Sequence, residues 1–248
     1  MKIAVAGGHT PTAPGASGYL DELECDRALK DKTIAELSRR GHEVIDVTAD
    51  SWADVNTDLS QQVARANASG ADLFVSHHFN AFNGSAHGTE CWYYSGDTWG
   101  RDISEFISHN TASALGVANR GAKGTTGLYV LNCSNMTAVL TETCFVDNYD
   151  DAQAWWNTSW EDIVGAICDG IEQKYWSKTK PSDLRTKRQK VQDKYSLSDM
   201  TMQYLDFYKY SNELYSKLLS GETLSDFTYK WLEAYDYGDE LVSKLRGV

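Results

Sequence analysis

Short apolar runs alternate with longer amphipathic stretches through the first 176 residues of the chain. Short apolar runs rich in β-branched side chains are typical of buried strands. They predict strands at 3–6, 44–47, 73–76, 91–94, 128–131 and 139–141. The helical spacing of apolar residues predicts helices around 22–40, 58–69, 99–115 and 151–175. This alternation indicates an α/β domain over residues 1–176.

The last fifty residues contain an internal repeat. Residues 196–218 align without gaps on 223–245, a shift of 27 residues. Each copy opens with a capping-box pattern, which in the first copy is Ser196-x-x-Asp199, and continues with leucines and aromatics at helical spacing. Two such units bury little core by themselves. We therefore expect a small all-α repeat module at 196–248 whose units pack on each other, on the first domain, or on a second chain in a homodimer.

A change of composition separates these two parts. From Ser177 to Lys194 there are seven lysines and arginines against two aspartates, so the segment carries +5 in a chain whose net charge is −12. Charge runs of this kind are typical of linkers or solvated helices, with binding to an anionic polymer as the alternative. We predict three regions: a domain at 1–176, a basic linker at 177–195 and the two-repeat module.

Charge and cysteine content narrow the class of protein. The net charge of −12 argues against a nucleic-acid partner, whose phosphates require a basic surface. The five cysteines are scattered without a Cys-x-x-Cys pair, which is typical of reduced, buried thiols. No run reaches the roughly 18 apolar residues of a membrane span, and the opening apolar run is too short for a signal peptide. We expect synthesis in the cytoplasm without a signal peptide and no insertion into a membrane.

Histidines follow two of the predicted strands. His9 ends Ala6-Gly7-Gly8-His9, and His77 and His78 follow the run at 73–76. Ligands of open α/β sheets bind outside the carboxyl ends of the strands, which is where these side chains would lie. Alternation along a strand points His77 and His78 to opposite sides, so at most one of them faces a pocket with His9. A structural role in the turn is the alternative for His9.

Carboxylates complete a possible site. Glu142 interrupts an otherwise apolar strand, where a buried charge costs several kcal/mol unless it is paired or near a metal. Further acids, Asp21, Glu22 and Glu24, lie at the start of the first long helix. Two histidines and a carboxylate are a standard ligand set for catalytic zinc. A second carboxylate that does not bind the metal would move the proton of the attacking water, and Glu142 fits this role.

Six motifs occur in order along the first 175 residues. They are Gly8-His9, a glutamate opening the next helix, Ser76-x-His78-x-Asn80-Ala81, Gly88-Thr89-Glu90, Asn119-Arg120-Gly121-Ala122-Lys123, and Ala138-Val139-Leu140-Thr141-Glu142-x-x-Phe145-x-Asp147-Asn148. Together they resemble the N-acetylmuramoyl-L-alanine amidases of the amidase-3 type, and particularly the catalytic domains of phage endolysins. His9 is followed by Thr10-Pro11-Thr12 where many members have a second glycine.

The resemblance implies a mixed central β-sheet flanked by helices. It also implies one zinc ion held by His9, a helix-start glutamate and His78, with Glu142 as the general base. The spacing that is usual in the family points to Glu22 as the glutamate. Glu24 stays open because the length of the preceding loop varies.

The implied reaction is hydrolysis of the amide bond between N-acetylmuramic acid and the L-alanine of the stem peptide in bacterial peptidoglycan. Asn80 and Arg120 would orient the substrate or brace the site. An endolysin or autolysin of this kind would act on the cell wall after its release, with the C-terminal repeats serving wall targeting or oligomerisation.

Three other functions are alternatives to the amidase. A zinc peptidase acting on cell-wall peptides needs the same ligands, and a non-catalytic wall-binding protein would rely on the repeats. A glycosidase would pair Glu142 with Glu22 or Glu24, because paired carboxylates also cleave sugar linkages. The glycosidase leaves both strand-end histidines without a role.

Overall fold

The computed structural model describes residues 1–179, 191–192, 194–198, 201–202, 205, 211–221, 223–225, 228–229, 232 and 238–246. The chain divides into two compact units, Met1–Trp176 and Ser177–Val248. No helix within the described ranges is long and apolar enough to cross a membrane.

A six-stranded sheet forms the centre of the first unit. Its strands are β1 (Lys2–Gly7), β2 (Glu43–Asp46), β3 (Leu73–Asn80), β4 (Thr89–Tyr94), β5 (Asn119–Thr125) and β6 (Thr137–Phe145). They lie in the order β2-β1-β3-β6-β4-β5. Every neighbouring pair is parallel except β4 and β6, which are antiparallel. The mixed sheet that the resemblance implies is therefore confirmed.

Helices cover both faces of this sheet. They are α1 (Glu22–Arg39), α2 (Val55–Ser69), α3 (Thr98–Leu115), α4 (Tyr129–Asn132), α5 (Tyr149–Asn157) and α6 (Trp160–Thr179). Successive side chains of a strand point to opposite faces of the sheet. Ile3 and Val5 therefore pack into one buried cluster with α1, α3, α5 and α6. Ala4 and Ala6 pack into another cluster with α2 and α4 on the other face. The short alternating strands thus place one layer of helices on each side.

Two elements differ from the sequence prediction. The run at 128–131 is predicted as a strand, but Leu128 caps the short helix α4, and Val130 and Leu131 are buried in the cluster with α2. Periodicity alone does not separate a short buried helix from a buried strand. Conversely, β5 is absent from the predicted strands, because its sequence, Asn-Arg-Gly-Ala-Lys-Gly-Thr, contains almost no apolar residue. It is an edge strand, where one side of the ladder faces solvent.

The predicted helix at 151–175 is two helices. The first ends at Asn157 with Thr158 as its C-cap. Ser159 then accepts a hydrogen bond from the backbone N–H of Asp162 at 3.1 Å, which caps the start of α6. The sequence does not reveal this break, because apolar residues keep a helical spacing on both sides of it.

The second unit has a buried cluster of its own, and two of its helices are α7 (Ser211–Ser220) and α8 (Gly238–Arg246). Leucines at equivalent positions of the two repeat copies are buried in this cluster, namely Leu197 and Leu224, Leu205 and Leu232, and Leu214 and Leu241. The basic linker lies mostly outside the described residues. The linker and the all-α repeat module therefore stay predictions.

Candidate active site

The turn after β1 carries His9 into the site. Its backbone adopts a left-handed conformation, with φ of 61°, which is uncommon for a residue with a side chain. The backbone N–H of Gly8 donates to the carbonyl of His77 at 2.9 Å, which fixes the turn against the end of β3. A Cβ atom at Gly8 would lie 2.2 Å from the imidazole of His78. Only glycine therefore lets this turn pass so close to β3.

His9, Glu22 and His78 meet at the carboxyl ends of β1 and β3. His9 Nε2 lies 3.0 Å from Glu22 Oε1 and 3.2 Å from His78 Nδ1. His78 Nδ1 lies 3.4 Å from the same oxygen of Glu22. Asp26 joins them, because one potential ligand atom from each of the four residues lies within 4.8 Å of the others. Glu24, the alternative to Glu22, is exposed.

Hydrogen bonds from the surrounding chain orient these groups. His9 Nδ1 lies 3.2 Å from the carbonyl of Ala13, so a proton on Nδ1 leaves the lone pair of Nε2 directed at the cluster. Glu22 accepts backbone N–H bonds from Ala16 at 2.7 Å and from Phe79 at 3.2 Å. Burial raises the pKa of Glu22, but hydrogen bonds from the two imidazoles outweigh burial and hold this pKa well below its usual range.

Asp26 is a member of the cluster that the sequence motifs do not include. It lies one helical turn after Glu22 and is fully buried, and neither carboxylate oxygen has a hydrogen-bond partner among the described residues. Burial, and then the charges of Glu22 and Glu142, raise its pKa well above the ordinary value. The spacing of four residues on a helix, which puts both acids on one face of α1, is the sequence signal that points to it.

The donor set suits a divalent cation such as zinc. Imidazole nitrogens and carboxylate oxygens are the ligands that zinc prefers. The unpartnered carboxylate oxygens of Asp26 are buried polar atoms that the described residues leave unsatisfied. Without a positive ion, such atoms are costly to bury.

Glu142 lies on the same rung of the sheet as His78. In the register of the strands His78 pairs with Glu142, and Glu142 pairs in turn with Glu90 of β4. Glu142 lines a cavity of about 570 Å³ together with Asn80, Arg120 and other residues. One of its oxygens has no hydrogen-bond partner among the described residues. Burial, and then the charges of Glu22 and Glu90, raise the pKa of Glu142 well above its ordinary value.

Asn80 and Arg120 reach this cavity from different strands and share one partner. Both donate hydrogen bonds to Glu90, at 3.1 Å and 2.5 Å respectively. Glu90 belongs to one of the six sequence motifs, but the sequence assigns it no role. No local signal identifies such a residue, because its partners are brought together only by strand pairing.

His77 lies on the opposite side of β3 from this site. It is fully buried, and its Nδ1 lies 3.0 Å from the hydroxyl oxygen of Thr141. Burial lowers the pKa of His77 to about 3, so the ring is neutral at physiological pH. It is therefore a packed core residue, and only His78 of the pair faces His9.

Comparisons with known proteins agree with the motifs. Residues 3–173 match the family described as N-acetylmuramoyl-L-alanine amidase. The N-acetylmuramoyl-L-alanine amidase LytC of Bacillus subtilis is 32% identical over 181 residues, which cover 70% of this chain and 35% of LytC. The catalytic domain of the CD27L endolysin, which targets Clostridia difficile, has a TM-score of 0.65 and 30% identity, covering 69% of this chain and 97% of that domain. The resemblance drawn from the sequence is confirmed.

The length of the relatives differs from that of this chain. The uncharacterized protein CPE1502 of Clostridium perfringens is 37% identical over 179 residues, which cover 70% of this chain. The match spans only 52% of that protein, so the chain covers about half the length of this curated relative.

Proposed function

The chain belongs to the N-acetylmuramoyl-L-alanine amidase family, and we propose that it hydrolyses the amide bond between N-acetylmuramic acid and L-alanine in bacterial peptidoglycan. The observation that carries this proposal is the meeting of His9, Glu22 and His78 within hydrogen-bond distance of one another. This cluster adjoins Glu142 at the wall of a cavity. Histidine and carboxylate ligands beside a further acid are suited to hydrolysis of an amide.

We propose His9, Glu22 and His78 as the ligands of one zinc ion. When bound, zinc would polarise the scissile carbonyl and lower the pKa of a water molecule. The contact of His9 with the Ala13 carbonyl supports this assignment, because it leaves the other ring nitrogen free to bind. The two backbone N–H bonds to Glu22 likewise hold its carboxylate against both imidazoles.

Glu142 acts as general base and then as general acid. Glu142 lines the cavity and pairs with His78 in the sheet, so it connects the ligand cluster to the cavity that would receive the substrate. It takes a proton from the attacking water and delivers it to the leaving nitrogen of L-alanine. The raised pKa of Glu142 favours this second step, since a carboxylate that is too acidic holds a proton poorly. Asn80 and Arg120 bind the substrate from the same cavity wall.

The biological setting is a phage or prophage endolysin or a bacterial autolysin that is made in the cytoplasm and acts on the cell wall after release. The similarity to an endolysin catalytic domain supports this setting. The C-terminal repeats would serve wall targeting or form a homodimer, and both roles stay proposals.

Digestion of purified peptidoglycan by the full chain tests the proposed reaction. We expect mass analysis to identify intact stem peptides with a free L-alanine amino group, and we expect a chelator to abolish their release. Release of single amino acids would instead indicate a zinc peptidase, and new reducing sugar ends would indicate a glycosidase. Unchanged peptidoglycan at saturating zinc would favour a non-catalytic wall-binding protein and would overturn the proposal.

A further inference from the structure

Glu90 is a buried acid that the proposed reaction does not use. Only 3% of its surface is exposed, although the residue lines the same cavity as Glu142. Strand register puts the two acids on neighbouring positions of β4 and β6. Like charges placed this close repel each other, and burial strengthens the repulsion. Keeping a second acid at this position is therefore costly.

Donors from three strands converge on Glu90. Oε1 accepts from Asn80 Nδ2 at 3.1 Å and from Trp92 Nε1 at 3.2 Å, whereas Oε2 accepts from Arg120 Nε at 2.5 Å. Lys123 Nζ lies 3.8 Å from Oε2. Asn80, Trp92 and Arg120 all line the cavity. Glu90 thus connects the polar side chains of one cavity wall.

The orientation of the Arg120 side chain is fixed by its contacts with Phe145 and Glu90. Its guanidinium group lies over the ring of Phe145, with 4.9 Å between Cζ and the ring centroid. Besides the bond through Nε, Nη1 donates to the carbonyl of His87 at 3.5 Å, and 35% of the side chain is exposed. A free arginine side chain has many rotamers, and fixing one of them before a ligand arrives reduces the entropy lost on binding. Glu90 and Phe145 together hold Arg120 in such a conformation.

A role in stability alone does not account for Glu90. A buried ion pair often stabilises a protein no more than apolar residues of similar volume would. An apolar side chain at this position would also remove the repulsion of Glu142. An acid at position 90 is accounted for if its function is to hold its hydrogen-bond partners in one orientation that faces the cavity.

We propose that Glu90 is a positioning residue, which holds Arg120 and Asn80 in the orientation that binds the stem peptide of the substrate. It acts through these two side chains and does not touch the substrate. This inference rests on the proposed function, because it assumes that the cavity beside Glu142 receives the peptide.

A double-mutant cycle on the zinc-loaded full chain tests the inference. The variants are Glu90→Gln, Arg120→Ala and the combination, and the substrate is a soluble muramoyl peptide for which KM and kcat can be separated. Because binding is lost and the general base is kept, we expect Glu90→Gln to raise KM about tenfold, with kcat changed less than about threefold. In the Arg120→Ala background, Glu90→Gln should change KM by less than about threefold, because residues that act as a unit are not additive.

Matched variants separate positioning from stability. Glu172 also pairs with an arginine, Arg40, at 2.7 Å, but it does not line the cavity. Glu172→Gln should therefore lower the melting temperature and leave KM unchanged. Should Glu90→Gln unfold at the assay temperature, Arg120→Lys replaces it, since lysine keeps the charge but loses the donor that binds Glu90. This variant should raise KM as much as Arg120→Ala.

Three results would overturn the inference. An unchanged KM in Glu90→Gln or Arg120→Lys would show that the orientation of Arg120 does not matter. Effects of Glu90→Gln and Arg120→Ala that multiply in the double variant would show that they act independently. A wild-type chain without amidase activity would refute the proposed function, and this inference with it, whereas an active wild type with an additive cycle would refute this inference alone.

Discussion

Glu142 occupies a position where a buried charge costs free energy, but the residue also lines the cavity. The strand around it is apolar and one of its oxygens has no partner among the described residues, yet its carboxylate borders the cavity. The neighbouring acids Glu22 and Glu90 add to the cost through their charges. An arrangement that keeps the proton affinity of Glu142 high suits a group that accepts a proton and then returns it.

Glu142→Gln should abolish most of the activity without changing the fold. Glutamine has the same shape but cannot accept the proton, so we expect release of L-alanine amino termini to fall by about 10² to 10⁴-fold. Zinc content, measured by elemental analysis, should stay at the wild-type level because Glu142 is not among the proposed ligands. Full activity in this variant would contradict its role as general base.

Asp26→Asn should stabilise the metal-free protein. The pKa of Asp26 is raised in the folded chain, so between its ordinary value and its raised value the folded state binds a proton that the unfolded state does not. The free energy of unfolding therefore falls as pH rises above the ordinary value of 3.8. At pH 7, the variant should be more stable than wild type by about 1 to 3 kcal/mol.

Urea unfolding in the presence of a chelator, between pH 4 and pH 8, measures this effect. The pH dependence of Asp26→Asn should be weaker than that of wild type. A variant that is less stable than wild type at pH 7 would show that Asp26 has a stabilising partner in the metal-free chain.

Residues that stand out against their surroundings can be predicted from the sequence. His9 follows a strand in a glycine turn, and Glu142 interrupts an apolar run, so the local pattern is enough to single out both. Asp26 lies in a polar stretch of α1, so its spacing of four residues from Glu22 becomes a signal only after Glu22 has been assigned to the site. Glu90 depends on partners from three strands, and strand order is a non-local property that a single sequence does not reveal.

At the scale of elements, the turn between β1 and α1 determines where the ligands meet. Gly8 approaches the imidazole of His78, and a Cβ atom at Gly15 would lie 2.5 Å from Glu22 Oε2. Gly8 begins this loop and Gly15 lies in its middle, and both border the cluster. The loop therefore lies so close to His78 and Glu22 that a side chain larger than that of glycine does not fit at these two positions.

Gly8→Ala should weaken metal binding. The added methyl group would overlap the imidazole of His78, so this ring must move away from His9. We expect the zinc affinity, measured by competition with a chromogenic chelator, to fall about 10 to 100-fold, as for other changes next to metal ligands.

Gly165→Ala is the matched control. No atom lies within 4 Å of a Cβ atom at this helical position, and alanine favours a helix over glycine. The control should keep the zinc affinity of wild type and unfold at an equal or higher temperature. Equal zinc affinity in Gly8→Ala and Gly165→Ala would contradict the role assigned to the turn.

The elements that the sequence identifies correctly are those with a strong apolar signal. Strands β1, β3 and β6 have buried runs, and their predicted positions fall within the observed strands. The edge strand β5 has no such run because none of its residues is fully buried and one edge faces solvent, so few apolar residues are needed. Helix α4 is mistaken for a strand because both elements bury short apolar runs.

At the scale of the whole molecule, each unit has its own buried cluster of side chains. We predict that a chain ending at Thr179 folds and binds zinc as the full chain does, because all proposed site residues lie in the first unit. Its melting temperature should stay within about 4 °C of the corresponding transition of the full chain, which is the shift that about 1 kcal/mol causes in a domain of this size.

Activity assays on two substrates extend this prediction. The shortened chain should cleave a soluble muramoyl peptide at the rate of the full chain. If the repeats target the wall, it should lose activity only on intact cell walls. A shortened chain that folds but fails on the soluble peptide would show that the second unit contributes to the reaction itself.

The order of strands separates the proposed metal ligands from one wall of the cavity. β6 has the parallel strand β3, with His78, on one side and the antiparallel strand β4, with Glu90, on the other. The proposed metal ligand His78 and the proposed positioning residue Glu90 therefore lie on strands on opposite sides of β6. If the proposed function holds, changes in β4 and β5 can alter the cavity while the proposed metal ligands on the loop after β1, on α1 and on β3 stay intact.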